Sequence, residues 1–126
     1  MKEQHIVDVV RIECERHERF FVNNHGTVMS RSGVPDFMTM DTTGRLVGIE
    51  VKKPGARPTV NQLRRAAEIL RSGGRYIVAY DDFTLDAVDA HSLPTWEGRN
   101  VAELGVEFEW YEDFGAQRCS VEIVCR

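Results

Sequence analysis

Apolar residues recur along this chain at two spacings, and the switches between them mark out its elements. Ile6, Val9, Val10 and Cys14, with charged residues between them, trace one face of an amphipathic helix over residues 2–18. Phe20-Phe21-Val22 and Thr27-Val28-Met29, interrupted by Asn23-Asn24-His25-Gly26, predict a first strand with a bend or turn in it. Pro35 fixes its own φ and carries no N–H, which suits the first residue of a strand continuing from Asp36 to Met40. Asp41-Thr42-Thr43-Gly44 is a turn signal. Leu46 to Lys52 is apolar and β-branched, with Gly44 before it and Pro54 after it, and reads as a strand. Strands over roughly 35–41 and 45–52 are thus expected to form an antiparallel hairpin.

Thr59 followed three residues later by Gln62 is a capping box, so a helix begins here. Leu63, Ala66, Ala67, Ile69 and Leu70 keep helical spacing, and Gly73-Gly74 ends the helix. Arg75 to Tyr80 has an apolar centre expected to be buried on both faces, hence parallel to a neighbour after the helical crossover. Asp81-Asp82 closes that strand, and Thr84 to His91 reads as a short helix turning Leu85, Ala87 and Val88 inward. Residues 92–104 read as a loop with some helix near Val101 to Leu104. Val106, Phe108 and Trp110, then Val121, Ile123 and Cys125, alternate with other residues as in two half-buried strands joined around Glu112 to Ala116. This tail either extends the sheet or covers a partner subunit.

Composition sets the bounds. A chain of 126 residues suits one domain, and 42% hydrophobic with 29% charged residues is an ordinary globular mixture. No apolar run approaches the ~20 residues of a membrane span. The N-terminus carries no signal-peptide pattern. Cys14, Cys119 and Cys125 form neither a CxxC pair nor a disulfide framework, so a reducing, cytoplasmic setting is expected. The net charge of −4 does not by itself mark a nucleic-acid binder. Its distribution does more. Residues 44–80 hold eight Lys and Arg against two acids, whereas residues 81–126 hold three against eleven. The positive block comprises Arg45, Lys52, Lys53, Arg57, Arg64, Arg65, Arg71 and Arg75, and such a block can neutralise phosphates locally. Within it Lys53, Arg57, Arg64 and Arg65, with Arg31 just ahead of the hairpin, are the candidate DNA-binding residues.

The candidate chemistry lies in the hairpin. Strand alternation sends Glu50 and Lys52 to one face and Ile49 and Val51 to the other. A carboxylate and an ammonium on one face of an apolar strand are costly to bury unless paired or metal-bound. Asp36 is expected beside them at the open end of the hairpin. Hard oxygen ligands such as Asp36 and Glu50 suit Mg²⁺, with Mn²⁺ as the alternative. Lys52 is then placed to orient or deprotonate a water, or to neutralise charge at a phosphate. A plainer reading of the three is a surface salt-bridge cluster. Glu3 has its own plain reading, a favourable charge in the first turn of a helix. Asn23-Asn24-His25 is read as a turn rather than a His-metal element, since no second ligand pattern follows it.

Gly33-Val34-Pro35-Asp36, Ile49-Glu50-Val51-Lys52, Gln62 in the following helix and Gly73 before Tyr76-Ile77-Val78 together resemble the PD-(D/E)xK nuclease superfamily. Within it the chain looks most similar to the VRR-NUC (virus-type replication-repair nuclease) family. The resemblance covers roughly residues 1–90 and leaves residues 92–126 unmatched. It implies an α/β fold with an α-β-β-β-α-β core, a mixed sheet flanked by helices, over about 1–91, and a C-terminal extension with a β-hairpin over about 92–126. It implies a metal-dependent DNA endonuclease selective for branched DNA such as four-way junctions, acting as a homodimer. By the same resemblance Asp36 and Glu50 are metal ligands with the Val51 carbonyl as a further one, and Lys52 is catalytic. Glu3 would approach the metal through water, and Gln62 would orient a site group or contact phosphate. The alternative is a non-catalytic junction-binding or scaffold module on the same fold, which the acidic C-terminal third favours.

Overall fold

The computed structural model describes residues 2–26, 33–54, 56, 58–90, 105–110 and 117–124. Helix α1 (Glu3–Arg16) leads into three strands, β1 (Phe21–Asn23), β2 (Phe37–Met40) and β3 (Leu46–Val51). Helix α2 (Val60–Arg71) crosses over to β4 (Arg75–Ala79), and α3 (Leu85–Ala90) follows. Strands β5 (Gly105–Trp110) and β6 (Gln117–Val124) complete the order. The α-β-β-β-α-β core expected from the sequence is present. The second half of the interrupted first strand, at Thr27 to Met29, and the loop at 92–104 lie outside the described residues.

The six strands form one mixed sheet in the order β1-β2-β3-β4-β6-β5. β1, β2 and β3 pair antiparallel, Phe37 opposite Ile49. β4 runs parallel to β3, with Glu50 level with Val78, as a helical crossover requires. β6 adds parallel to β4 and pairs antiparallel with β5, so the tail extends the sheet.

Each face carries its own apolar layer. Ile6, Val7, Val10 and Cys14 of α1 and Leu85 and Val88 of α3 pack on Val47, Ile49, Val51, Ile77 and Ala79. Leu63, Ala66, Ala67 and Leu70 of α2 pack on Tyr76 and Val78. β4 feeds both layers by alternation, which is why all five of its residues are buried. Cys14 belongs to the first layer; burial pushes its thiol up to about 11, so it is a packing group and not a nucleophile. Among the described residues no helix is long and apolar enough to cross a membrane.

Two glycines set how closely the hairpin meets α2. Gly48 faces Pro35 and Ile69; a Cβ there would lie 2.9 Å from the Pro35 ring and 3.0 Å from the end of Ile69. Gly33 has φ +82°, and a Cβ on it would stand 2.4 Å from the Asn61 carbonyl oxygen in the first turn of α2. Backbone cannot yield as a side-chain tip can, so Gly33→Ala combines a left-handed conformation with a hard clash. The expected cost is about 2–4 kcal/mol, read as a lower urea midpoint at unchanged slope.

Arg75 corrects the charge map drawn from the sequence. It is 2% exposed, with Nη1 donating to Asp41 Oδ2 at 3.3 Å and to the Val88 carbonyl at 3.1 Å. Burial would raise Asp41, but hydrogen bonds from Thr43, Arg45 and Arg75 outweigh it and hold this carboxyl below its ordinary range. Arg45 donates to the carbonyls of Gly73 and Gly74 nearby. Arg75 pairs with Val47 at the start of β3, at the far end of the strand from Glu50 and Lys52. Arg71, at the C-terminal end of α2, lies away from the first turn that meets Gly33. Arg45, Arg71 and Arg75 therefore do not surround the hairpin acids. Arg75→Met leaves Asp41 without its buried cation, and a loss of about 3 kcal/mol is expected, growing in severity as neighbouring hydrogen bonds fail to compensate. Chemical denaturation of the variant beside the wild type measures it.

Candidate active site

The first residue to place is Asp36, just ahead of β2. The β1–β2 register sets Asn23 opposite Phe37, so the chain leaving β1 passes the residue before Phe37. The Asn24 N–H donates to the Asp36 carbonyl at 2.6 Å, and Asn24 Nδ2 donates to the Pro35 carbonyl at 3.3 Å. The Asp36 backbone is thereby fixed from one side. Its side chain is fixed from the other, since Oδ2 accepts the Val51 N–H of β3 at 2.9 Å. A carboxylate that takes a backbone N–H is pre-oriented, and little freedom remains to be lost on binding a ligand.

Glu50 comes next. Ile49 and Val51 face α1 and α3 while Glu50 is level with Val78 on the α2 side, as strand alternation predicts. Glu50 is 3% exposed and shares a hydrogen bond with Asp36. Burial foremost, then that hydrogen bond and the Asp36 charge, push its carboxyl up to about 10, with Lys52 opposing and Glu3 adding to the rise. A protonated Glu50 donating to Asp36 is the physical meaning of that shift. Its other oxygen, Oε1, is buried without a hydrogen-bond partner among the described residues. A carboxyl that is buried, raised and half-unsatisfied is a group awaiting a positive partner.

Lys52 follows β3 directly, its N–H donating to the Ala79 carbonyl at 3.0 Å. It is half-buried, and its charge acts on Glu50. The hairpin thus brings Asp36 and Glu50 into a hydrogen bond, with Lys52 near enough for its charge to act on Glu50. Glu3, in the first turn of α1, also arrives here: ligand atoms of Glu3, His25 and Asp36 all lie within 4.8 Å of one another. That spacing matches donors arranged about one cation with bonds of ~2.0–2.3 Å. Two acids and an imidazole, with the half-unsatisfied Glu50 carboxyl hydrogen-bonded to Asp36 beside them, fit a divalent ion. Asp36 and Glu50 were named from the hairpin alone, and Glu3 from the family resemblance.

His25 is the residue that the sequence did not offer as a site member. Asn23-Asn24-His25 is a turn, closed by the His25 N–H donating to Asn23 Oδ1 at 3.0 Å. The same turn lays His25 Nδ1 3.0 Å from Asp36 Oδ1. The available signal was the register of the first hairpin, which sets the end of β1 against the start of β2.

Gln62 completes the capping box as expected, its Oε1 accepting the Thr59 N–H at 2.8 Å while Thr59 Oγ1 accepts the Gln62 N–H at 3.3 Å. Its contact is with the helix start that Gly33 abuts. The Val51 N–H serves Asp36, and its side chain lies in the core. Of the candidate DNA-binding residues, Lys53 is exposed. Arg64 donates to Asn61 at 3.1 Å and Arg65 to Glu68 at 2.9 Å, both along α2. Arg31 and Arg57 lie outside the described residues.

No protein-family model matches the chain, and no solved structure matches it. A curated phage protein, "Putative nuclease p44" of Acyrthosiphon pisum secondary endosymbiont phage 1, is 36% identical over 63 residues. That match takes in 50% of this chain and 61% of the phage protein, so the chain spans less than two thirds of its relative's length. The chain is thus a distant, partial homologue of a phage protein that is named a nuclease.

Proposed function

We propose that this protein is a metal-dependent DNA endonuclease, of the VRR-NUC type, that hydrolyses phosphodiester bonds in branched DNA such as four-way junctions. The observation that carries the reading is the hydrogen-bonded Asp36–Glu50 pair, in which Glu50 is buried with one oxygen unpartnered among the described residues and Lys52 acts on it. The partial likeness to a phage protein named a nuclease supports it.

Asp36 and Glu50 hold Mg²⁺ or Mn²⁺ in this reading, with the Val51 carbonyl and Glu3 beside them. The ion supplies Lewis-acid activation of the scissile phosphate and of water when bound. Asp36, locked by the Val51 N–H, fixes where that activation occurs. Lys52 orients the attacking water and neutralises the charge that builds on the phosphate as the water oxygen bonds to phosphorus. The bond from phosphorus to the leaving sugar oxygen breaks; that oxygen takes up a proton from solvent, and the attacking water gives up one of its protons to solvent. Lys53, Arg57, Arg64, Arg65 and Arg31 would supply the contacts to the DNA backbone. Gln62 acts by holding the α2 start, and with it the Gly33 approach, in register with Asp36. Two copies related by a two-fold axis would match the symmetry of a four-way junction and cut opposing strands.

Lys52→Ala tests the division of labour. Cleavage should fall by about 10²–10³-fold while metal affinity stays within a few-fold of wild type. A variant that cleaves like the wild type removes Lys52 from the chemistry. A wild type that binds four-way junctions but never cuts them with either ion supports the non-catalytic junction-binding module instead, for which the excess of acids in residues 81–126 is the motive. Light scattering decides the dimer: a monomer at working concentration argues against paired cutting.

A further inference from the structure

We propose that His25 is a nitrogen ligand to the ion held by Asp36, and that it makes the pocket select a first-row transition ion such as Mn²⁺ or Co²⁺ over Mg²⁺. The inference rests on the reading of this pocket as a metal site and adds its selectivity. Three observations converge. His25 Nδ1 stands 3.0 Å from Asp36 Oδ1, and Glu3 offers an oxygen within 4.8 Å of both. The Asx turn at Asn23 and the two Asn24 hydrogen bonds hold this loop on the Asp36 backbone, so the imidazole is placed by structure and not by chance contact. Independently, the buried Glu50, bonded to Asp36 through one oxygen, presents an unpartnered Oε1 beside the same group.

The chemistry of such a mixed set differs from that of carboxylates alone. Mg²⁺ demands near-octahedral oxygen coordination and sheds water reluctantly, whereas imidazole nitrogen suits transition ions, with affinity rising from Mn²⁺ to Co²⁺. Replacing one oxygen donor by His25 therefore strengthens the transition ions selectively. His25 is half-buried in a turn, so its replacement spares both apolar layers.

The test measures binding, not cleavage. Mn²⁺ affinity is read by electron paramagnetic resonance of the free ion, Mg²⁺ affinity by competition, and Co²⁺ by its visible absorption bands. These are recorded on wild type, His25→Ala and His25→Gln. Both variants should lose about 10–100-fold in Mn²⁺ affinity, change little in Mg²⁺ affinity, and show altered Co²⁺ bands. Gln keeps a hydrogen bond to Asp36, so if it preserves the wild-type Mn²⁺ to Mg²⁺ ratio, His25 only orients Asp36 and the inference is overturned. If the wild type binds none of the three ions, the metal-site reading falls as well, and the two failures are told apart.

Discussion

Asp36→Asn should abolish cleavage and metal binding together while the protein stays folded. The side chain is a point where β2, β3 and the β1 turn meet: Val51 N–H on Oδ2, His25 on Oδ1, and Glu50 hydrogen-bonded to it. Asn keeps the shape and can still accept from Val51, so the backbone frame is spared. What it removes is a negative charge at the centre of the proposed ligand set. An interaction worth several kcal/mol in the transition state corresponds to at least about 10³-fold in rate. The measurement is single-turnover cleavage alongside calorimetric Mn²⁺ titration, with far-ultraviolet circular dichroism as the folding control. Retained cleavage at near wild-type rate would remove Asp36 from the reaction.

Glu50→Gln should move stability and activity in opposite directions. Below about pH 4.5 the Glu50 carboxyl is protonated whether the chain is folded or not, and it contributes no pH dependence. As pH rises from 4.5 toward 10 the unfolded chain gives up the proton and the folded protein keeps it. The wild type without metal should therefore lose stability across that window. At about 1.4 kcal/mol per pH unit, the loss reaches about 3.5 kcal/mol near pH 7. Gln is neutral throughout and can donate to Asp36, so the variant should melt higher than wild type at pH 8 in chelator and equally at pH 4.5. Added Mn²⁺ should raise the melting temperature of wild type and leave the variant nearly unmoved, and cleavage should be lost. Parallel pH profiles for the two proteins would show that Glu50 is not held protonated by the fold.

Much of this was legible along the chain because the signals are local. The Thr59–Gln62 box and the Gly73-Gly74 stop bracket α2 closely, and the alternation around Glu50 assigns its face without any tertiary information. The turn at Asp41 to Gly44 joins two strands whose pairing places Asp36 near Glu50. What escaped is non-local. Arg75 looked like part of a phosphate-facing block because a charge at a strand start is usually solvated. Its burial depends on Asp41 and the Val88 carbonyl, 34 and 13 residues away. The position of His25 depends on the β1–β2 register, which a three-residue strand with two exposed positions does not fix by hydrophobic pattern. Val7 joins the buried stripe of α1 while Val9 packs at its edge, which reflects the rotation of that helix on the sheet, a packing choice that spacing leaves open.

The central claim is that Asp36, Glu50 and Lys52 assemble one metal-dependent centre for cutting DNA. The most direct measurement is incubation of the purified wild-type protein with end-labelled four-way, flapped and linear DNA, each with Mg²⁺, with Mn²⁺ and with chelator alone. Discrete incisions near the branch point with either ion, and none in chelator, are the predicted result; intact strands under every condition, or cutting that persists in chelator, would contradict it.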